Sequence, residues 1–257
     1  MQAFLLVAGL GTRLRPLTDR NPKCLLPLGR TNLLEIWLDH LRDHGVDEVV
    51  VNTHWLSGRV EAFVAGRAGE PPRVRLFHEP ELLGSGGTLL ANREWVADGE
   101  PFFIIYGDNL TGVDLTAMLA CHRAHGLPFT LGVFRAEEPA RCGIATVDGD
   151  GLVTGFVEKP EKPASDLAAA GIYVADRRLF DYFPGDRAEG RGRVLDLGFD
   201  ILPHLVGRMK VFEVGRLIDI GTPESYAKAQ KSMVLARWKK SSPESQKSEN
   251  LPQRTQR

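Results

Sequence analysis

A short apolar run, Ala3 to Val7, ends in the segment Gly9, Leu10, Gly11, Thr12, Arg13, Leu14, Arg15, Pro16, with Lys23 beyond Asn21 and Pro22. A glycine-rich turn from a strand into a helix lets backbone amides approach phosphate oxygens, and the helix N-terminus adds a favourable dipole. Neither common nucleotide fingerprint fits. Leu14 stands where the dinucleotide motif requires its third glycine, and the GK[ST] ending of a P-loop is absent. What distinguishes the turn is its cations, Arg13, Arg15 and Lys23, which form either a solvated basic loop or a clamp for a polyanion. Asp108 stands just past the apolar run Phe102 to Tyr106, at the strand end where open α/β sheets place ligands. Asp219 lies between Ile218 and Ile220, and Glu158 and Lys159 follow another strand-like run.

Other reactive side chains carry less. His40 and His44 share a helix face, as do His122 and His125, but neither pair has an adjacent carboxylate that would complete a metal site, so both read as surface or helix-packing residues. Cys24 reads as a small buried thiol rather than a nucleophile. Cys24, Cys121 and Cys142 contain no CxxC spacing, which argues against a zinc knuckle or a disulfide framework and fits a reducing cytosol, so a cytoplasmic protein is expected. Lys plus Arg total 32 against Asp plus Glu 33, a net charge of -1, and no basic stretch offers a duplex-sized footprint, so nucleic acid is excluded as a partner. The N-terminal apolar run is too short for a signal peptide, and no apolar stretch is long enough to span a bilayer, so no membrane partner is expected.

The elements that must position these groups follow from periodicity. Ala3 to Val7, Glu48 to Asn52, Val74 to Phe77, Phe102 to Tyr106 and Phe129 to Phe134 read as strands, several apolar nearly throughout and therefore covered on both faces. Leu33, Leu34, Trp37, Leu38 and Leu41 repeat at helical spacing, with Asn32 as N-cap, Glu35 behind it and Gly45 past the end. Val60 to Val64, Thr88 to Val96 and Leu115 to Ala124 read as further helices. This alternation predicts an α/β fold with a doubly wound, mostly parallel, Rossmann-like sheet. Gly143 to Val147 and Leu152 to Val157 flank Asp148, Gly149, Asp150 and Gly151, which predicts a small antiparallel hairpin. A strand at Ala168 to Val174, a loop from Pro184 to Arg193, a strand at Val211 to Ile220 and a helix opened by Thr222, Pro223 and Glu224 and running to about Lys239 complete the pattern. The expected organisation is one domain, residues 1–240, and a disordered polar tail, 241–257, in which Leu251 is the one large apolar residue.

The segments GLGTRLRPLT (Gly9 to Thr18), PKCLLP (Pro22 to Pro27), LLGSGGTL (Leu82 to Leu89), YGDN (Tyr106 to Asn109), VEKP (Val157 to Pro160) with GIYV (Gly171 to Val174), and IDIGTPESY (Ile218 to Tyr226) occur in the order seen in the sugar-1-phosphate nucleotidyltransferases. Over residues 1 to about 230 the chain resembles that family, and the resemblance implies transfer of a nucleotidyl group from an NTP to a sugar-1-phosphate with release of pyrophosphate. The nucleophile in such a reaction is already anionic, so the site needs cations and carboxylate-held Mg2+ rather than a general base.

By resemblance, Arg13, Lys23 and Asp108 are catalytic, and Asp108 and Asp219 hold the metal, Mg2+. Ala8, Gly9, Gly11, Thr12, Glu79, Gly84 and Ser85 line the nucleotide site. Glu158, Lys159, Gly143 and Ala170 meet the sugar phosphate, in the small hairpin region. The sequence departs from many relatives at Ala169, where they carry Asn, and at Leu217, where they carry an aromatic residue, and Val7 replaces a small residue; the first puts one sugar contact in doubt. A hexapeptide-repeat β-helix such as longer relatives append, and acetyl transfer or regulation through it, are not expected. The pattern is most similar to mannose-type guanylyltransferases and their heptose relatives, which favours GTP and mannose-1-phosphate. The alternatives are UTP or dTTP, another sugar or cyclitol phosphate, and a non-catalytic nucleotide-sugar-binding relative. Glu79 would read guanine through two parallel hydrogen bonds to N1–H and N2–H2. Oligomeric state is not legible.

Overall fold

The computed structural model describes residues 1–184 and 194–235. The chain runs β1 (Gln2–Leu6), β2 (Pro27–Leu28), β3 (Thr31–Asn32), α1 (Leu33–Asp43), β4 (Glu48–Thr53), α2 (Ser57–Gly66), β5 (Arg73–His78) and α3 (Gly84–Ala91). It continues through β6 (Phe102–Tyr106), β7 (Asn109–Thr111), α4 (Leu115–His125), β8 (Phe129–Arg135), β9 (Gly143–Val147), β10 (Val153–Glu158) and β11 (Leu167–Ala175) to β12 (Met209–Glu213), β13 (Leu217–Asp219) and α5 (Pro223–Leu235). Most of the expected loop after Pro184, the end of the closing helix and the polar tail lie outside the described residues.

The parallel core of the main sheet is β6-β1-β4-β5. β1, β4 and β6 are apolar on both faces because both faces are covered, whereas edge strand β5 alternates exposed Arg73 and Arg75 with half-buried Val74 and Leu76. Phe4, Val50 and Ile104 point to one side, where they pack with Leu89 of α3, and Leu5, Val51 and Ile105 point to the other, where they meet Trp37, Leu38 and Leu41 of α1. Each such fully buried side chain contributes about 1.5–3 kcal/mol of transfer free energy. Antiparallel β11 adds to β6 and joins the β9–β10 hairpin and β8 to the same sheet, so the hairpin extends the central sheet rather than standing apart from it.

Local signals explain the helix starts. Asn32 Oδ1 accepts from Glu35 N at 2.9 Å, Asp114 Oδ1 from Ala117 N at 2.9 Å and Thr222 Oγ1 from Ser225 N at 3.2 Å, each satisfying a donor that the helix leaves unpaired.

Two sequence expectations are corrected. The strand expected at Val211 to Ile220 is two strands, β12 and β13, broken at Val214 and Gly215; Gly215 takes φ +72°. β12 pairs with β8 in the main sheet, whereas β13 pairs with β7 in a separate ribbon. The helix expected at Thr88 to Val96 instead starts at Gly84 and ends at Ala91. Glycine has poor helix propensity, but the Gly86 and Gly87 amides both donate to Leu195 O, at 2.9 and 3.2 Å, and this tertiary partner fixes the first turn. Among the described residues no helix is long and apolar enough to cross a membrane.

Candidate active site

The C-terminal ends of β1, β4 and β6 lie side by side, with Leu6 paired to both Asn52 and Tyr106. The cationic segment after β1 was expected to enter a helix. It folds instead into short turns at Thr12–Leu14, Leu17–Asp19 and Lys23–Leu25, so charge rather than an α-helix dipole makes this edge attractive to anions. Thr18 Oγ1 donates to Gly11 O at 2.8 Å, Leu14 N also donates to that carbonyl at 2.9 Å, and Leu14 is buried with Leu26 and Leu28. These contacts leave Arg13 and Lys23 on the wall of a cavity of about 490 Å3, a size suited to a small-molecule ligand. Arg15 pairs instead with Asp19 at 3.3 Å on the surface. Burial pushes the Cys24 thiol up to about 12, which leaves it protonated and unsuited to nucleophilic chemistry.

β13 is what carries Asp219 to the site. Its pairing with β7 sets Asp219 opposite Asn109, next to Asp108. Lys23 Nζ donates to Asp108 Oδ2 at 2.8 Å and lies 3.8 Å from Asp219 Oδ1. Burial and then the neighbouring Asp108 raise the carboxyl of Asp219 above its ordinary range, while Lys23 and Arg13 act in the opposite direction. No group of three or more His, Cys, Asp or Glu side chains capable of holding a metal occurs among the described residues. Two carboxylates fit a hard divalent ion that takes one or two protein ligands and completes its shell with phosphate oxygens and water.

Ala8, Gly9, Gly11, Thr12, Glu79, Gly84 and Ser85 all line the same cavity, with Asp108. Glu79, however, does not offer the paired acceptor edge expected of it. Only 1% exposed, it accepts from Thr88 Oγ1 and Asn52 Nδ2 on Oε1 and from Leu83 N on Oε2. Those three donors occupy the positions that a bidentate contact to guanine would need.

Beyond the cavity, Glu158 ends β10 with Lys159 just past it, and Gly143 opens β9 opposite Glu158. Gly143 and Gly198 flank the Glu158 carboxylate so closely that a Cβ on either would collide with it. Burial raises the Glu158 carboxyl above its usual range, and Asp196 adds to this against Lys159. Lys159 holds φ +48° and lies over the Phe199 ring, 5.5 Å from its centroid. Ala170 does not join this group. It is 2% exposed within the core, and its carbonyl accepts from Asn109 Nδ2 at 2.8 Å, so it orients Asn109 instead of facing open space.

Sequence reasoning missed Asn52, Thr88 and Asp196. Asn52 is legible in retrospect as the lone amide closing the apolar run Val49 to Val51 at a strand end. Asp196 Oδ1 accepts from Gly198 N and Phe199 N at 2.8 and 3.0 Å, while its Oδ2 accepts from Ser85 Oγ at 3.2 Å. It thereby ties the Ser85 wall of the cavity to the turn at Gly198 beside Glu158.

The model of the nucleotidyl transferase family matches residues 2–234. A mannose-1-phosphate guanylyltransferase from Mycobacterium tuberculosis is 30% identical over 239 residues, covering 91% of this chain and 65% of the relative. A UTP–glucose-1-phosphate uridylyltransferase from a Synechocystis species is 30% identical over 258 residues, covering 91% of this chain and 63% of the relative. The chain therefore spans less than two thirds of the length of these curated relatives. Among solved structures, HddC from Yersinia pseudotuberculosis, complexed with GMP-PN, superposes with a TM-score of 0.72 at 23% identity, covering 90% of this chain and 99% of that one. At that identity the likeness speaks to the fold.

Proposed function

Because the chain belongs to the nucleotidyl transferase family, we propose that it transfers a nucleotidyl group from an NTP to a sugar-1-phosphate, releasing pyrophosphate. One observation carries this reading: Arg13, Lys23 and Asp108 line one cavity at the ends of parallel strands, with Asp219 brought beside Asp108. An oxygen of the sugar phosphate attacks the α-phosphorus, the bond to the β-phosphate breaks, and pyrophosphate leaves with the bonding electrons. No proton need be removed from the nucleophile. Arg13 and Lys23 gather the anionic groups and stabilise charge developing on the transferring phosphate and the leaving group. Lys23, held between the two carboxylates, is placed to exchange a carboxylate partner for a phosphate oxygen. Asp108 and Asp219 would hold Mg2+, which when bound supplies Lewis-acid charge to the phosphates.

Ala8, Gly9, Gly11, Thr12, Gly84 and Ser85 bring backbone close to the nucleotide. Glu158, its carboxylate held closely between Gly143 and Gly198, meets sugar hydroxyls, and Lys159 meets the sugar phosphate. Similarity to the mannose-1-phosphate guanylyltransferase favours GTP and mannose-1-phosphate. The test is a matrix of NTPs against sugar-1-phosphates with pyrophosphate release as readout. Fastest turnover with GTP and mannose-1-phosphate is expected. UTP or dTTP as the better donor would overturn the substrate assignment, and no pyrophosphate from any pair would overturn the reaction.

A further inference from the structure

We propose that Asn52, Glu79 and Thr88 form a positioning relay that fixes the separation of the two walls of the nucleotide cavity; this rests on the nucleotidyl transfer reading above. The three side chains are 5%, 1% and 0% exposed. Asn52, at the end of β4, has its amide polarised between the walls. Oδ1 accepts from Val7 N at 2.7 Å and Ala8 N at 3.3 Å, the residues just before the glycine turn. Nδ2 donates to Glu79 Oε1 at 2.9 Å and Thr88 Oγ1 at 3.2 Å. On the other wall Glu79 Oε2 accepts from Leu83 N at 3.0 Å, and Thr88 Oγ1 lies 3.0 Å from Gly84 O. One amide thus connects the backbone before Gly9 to the backbone that opens the Gly84 loop.

Two features separate this arrangement from ordinary packing. The donors to the Glu79 side chain are a side-chain amide, a hydroxyl and a backbone N–H, so a group 1% exposed has each of its oxygens held by a directed hydrogen bond, where burial without those bonds would be costly. The bonds also end on backbone of the segments that line the cavity rather than on one another alone. The relay sets the width available to the nucleotide. It does not contact the sugar end, where Glu158 and Gly143 lie.

The experiment exchanges the polarity of the central bond. Asn52→Asp places a second carboxylate against Glu79 and removes both Nδ2 donors. Glu79→Gln then restores one donor and one acceptor to the pair: Gln Nε2 donates to the new aspartate while Gln Oε1 still accepts from Leu83 N. Asn52→Asp is expected to raise KM for the NTP by about tenfold or more while KM for the sugar-1-phosphate moves less than about threefold, and the double variant returns the NTP value to within about threefold of wild type. Thr88→Val, which keeps volume, should raise the NTP value by roughly threefold.

Unchanged NTP KM in a folded Asn52→Asp, or an equal rise for both substrates, overturns the relay. A double variant no better than Asn52→Asp also overturns it, and this is the result a base-reading role for Glu79 would give, since glutamine cannot replace the carboxylate there. If the single variants do not fold, the double variant alone decides by the same criterion. A wild-type chain that turns over no NTP removes the underlying reading, an outcome distinct from any of these.

Discussion

Gly9 and Gly84 both line the cavity, yet the structure assigns them different reasons for being glycine. A Cβ built on Gly9 meets nothing within 4 Å, and Gly9 is not in the left-handed region. Gly84 holds φ +79°, and a Cβ there would run into the carbonyl of Leu195 and lie 2.8 Å from Val194 Cγ1. Leu195 O cannot withdraw freely, since it accepts from Gly86 N and Gly87 N, and Leu195 N donates to Leu83 O at 2.9 Å. Gly84→Ala therefore carries a left-handed penalty of about 1–2 kcal/mol and the weakening of two or three hydrogen bonds at about 0.5–1.5 kcal/mol each, together roughly 3 kcal/mol. For a domain of this size that lowers Tm by roughly 6–12 °C. Gly9→Ala should leave Tm within about 1 °C, because nothing in the folded chain opposes the methyl group. If the nucleotide backbone approaches there, the same variant raises KM for the NTP by about tenfold or more, through contact the free protein does not make. Thermal melts and steady-state kinetics on the two variants separate a glycine required by the fold from one required by the ligand. Wild-type NTP KM in Gly9→Ala would refute the close approach, and wild-type Tm in Gly84→Ala would refute the steric argument.

Three further outcomes are expected. Asp219→Asn should reduce pyrophosphate release by about a hundredfold or more, with Tm little changed because the side chain is half exposed; near wild-type turnover would remove it from the metal site. Thr111 Oγ1 is buried without a hydrogen-bond partner, so Thr111→Val should raise stability by about 1 kcal/mol, and a lower Tm would show that the hydroxyl is satisfied in solution. Burial, then the neighbouring His125, lowers His122 from 6.5 to about 4. The unfolded chain therefore binds the extra proton first, and stability that is intact above pH 6.5 declines as pH falls toward 4, by on the order of 1–3 kcal/mol in all. Urea midpoints across that window should fall more steeply in wild type than in His122→Gln; equal slopes would exclude His122 as the cause.

The centre of the parallel core was legible because β1, β4 and β6 obey one constraint, apolar on both faces, and β6 occurs at the predicted residues Phe102–Tyr106. Asn32 and Glu35 announced α1 through the cap that forms. The break within Val211 to Ile220 was not legible, because both halves are apolar and the choice of partner, β8 or β7, is made by strands distant in sequence. Residues drawn into the cavity by motif order, from Ala8 to Ser85, are there. Glu79 shows the limit of such reasoning: its place on the wall was foreseeable, whereas the donors that occupy its carboxylate come from β4, α3 and Leu83. Ala170 misled for a similar reason, since a residue's place within a motif does not say which face of a strand it takes.

The β7–β13 ribbon has a consequence for how the protein is made. Most of the cavity wall, from Leu6 to Asp108, comes from the first half of the sequence, whereas Val194 and Gly221 join it from much later, and Asp219 is brought beside it by the pairs Leu217 with Thr111, Ile218 with Leu110 and Asp219 with Asn109. Chains emerge N-terminus first and domains fold as units. A nascent chain can therefore present the cationic turn, Lys23 and Asp108 well before the second carboxylate exists. Until β13 zips onto β7, Lys23 has one carboxylate to hold instead of two, so the acidic pair is completed only when this ribbon forms.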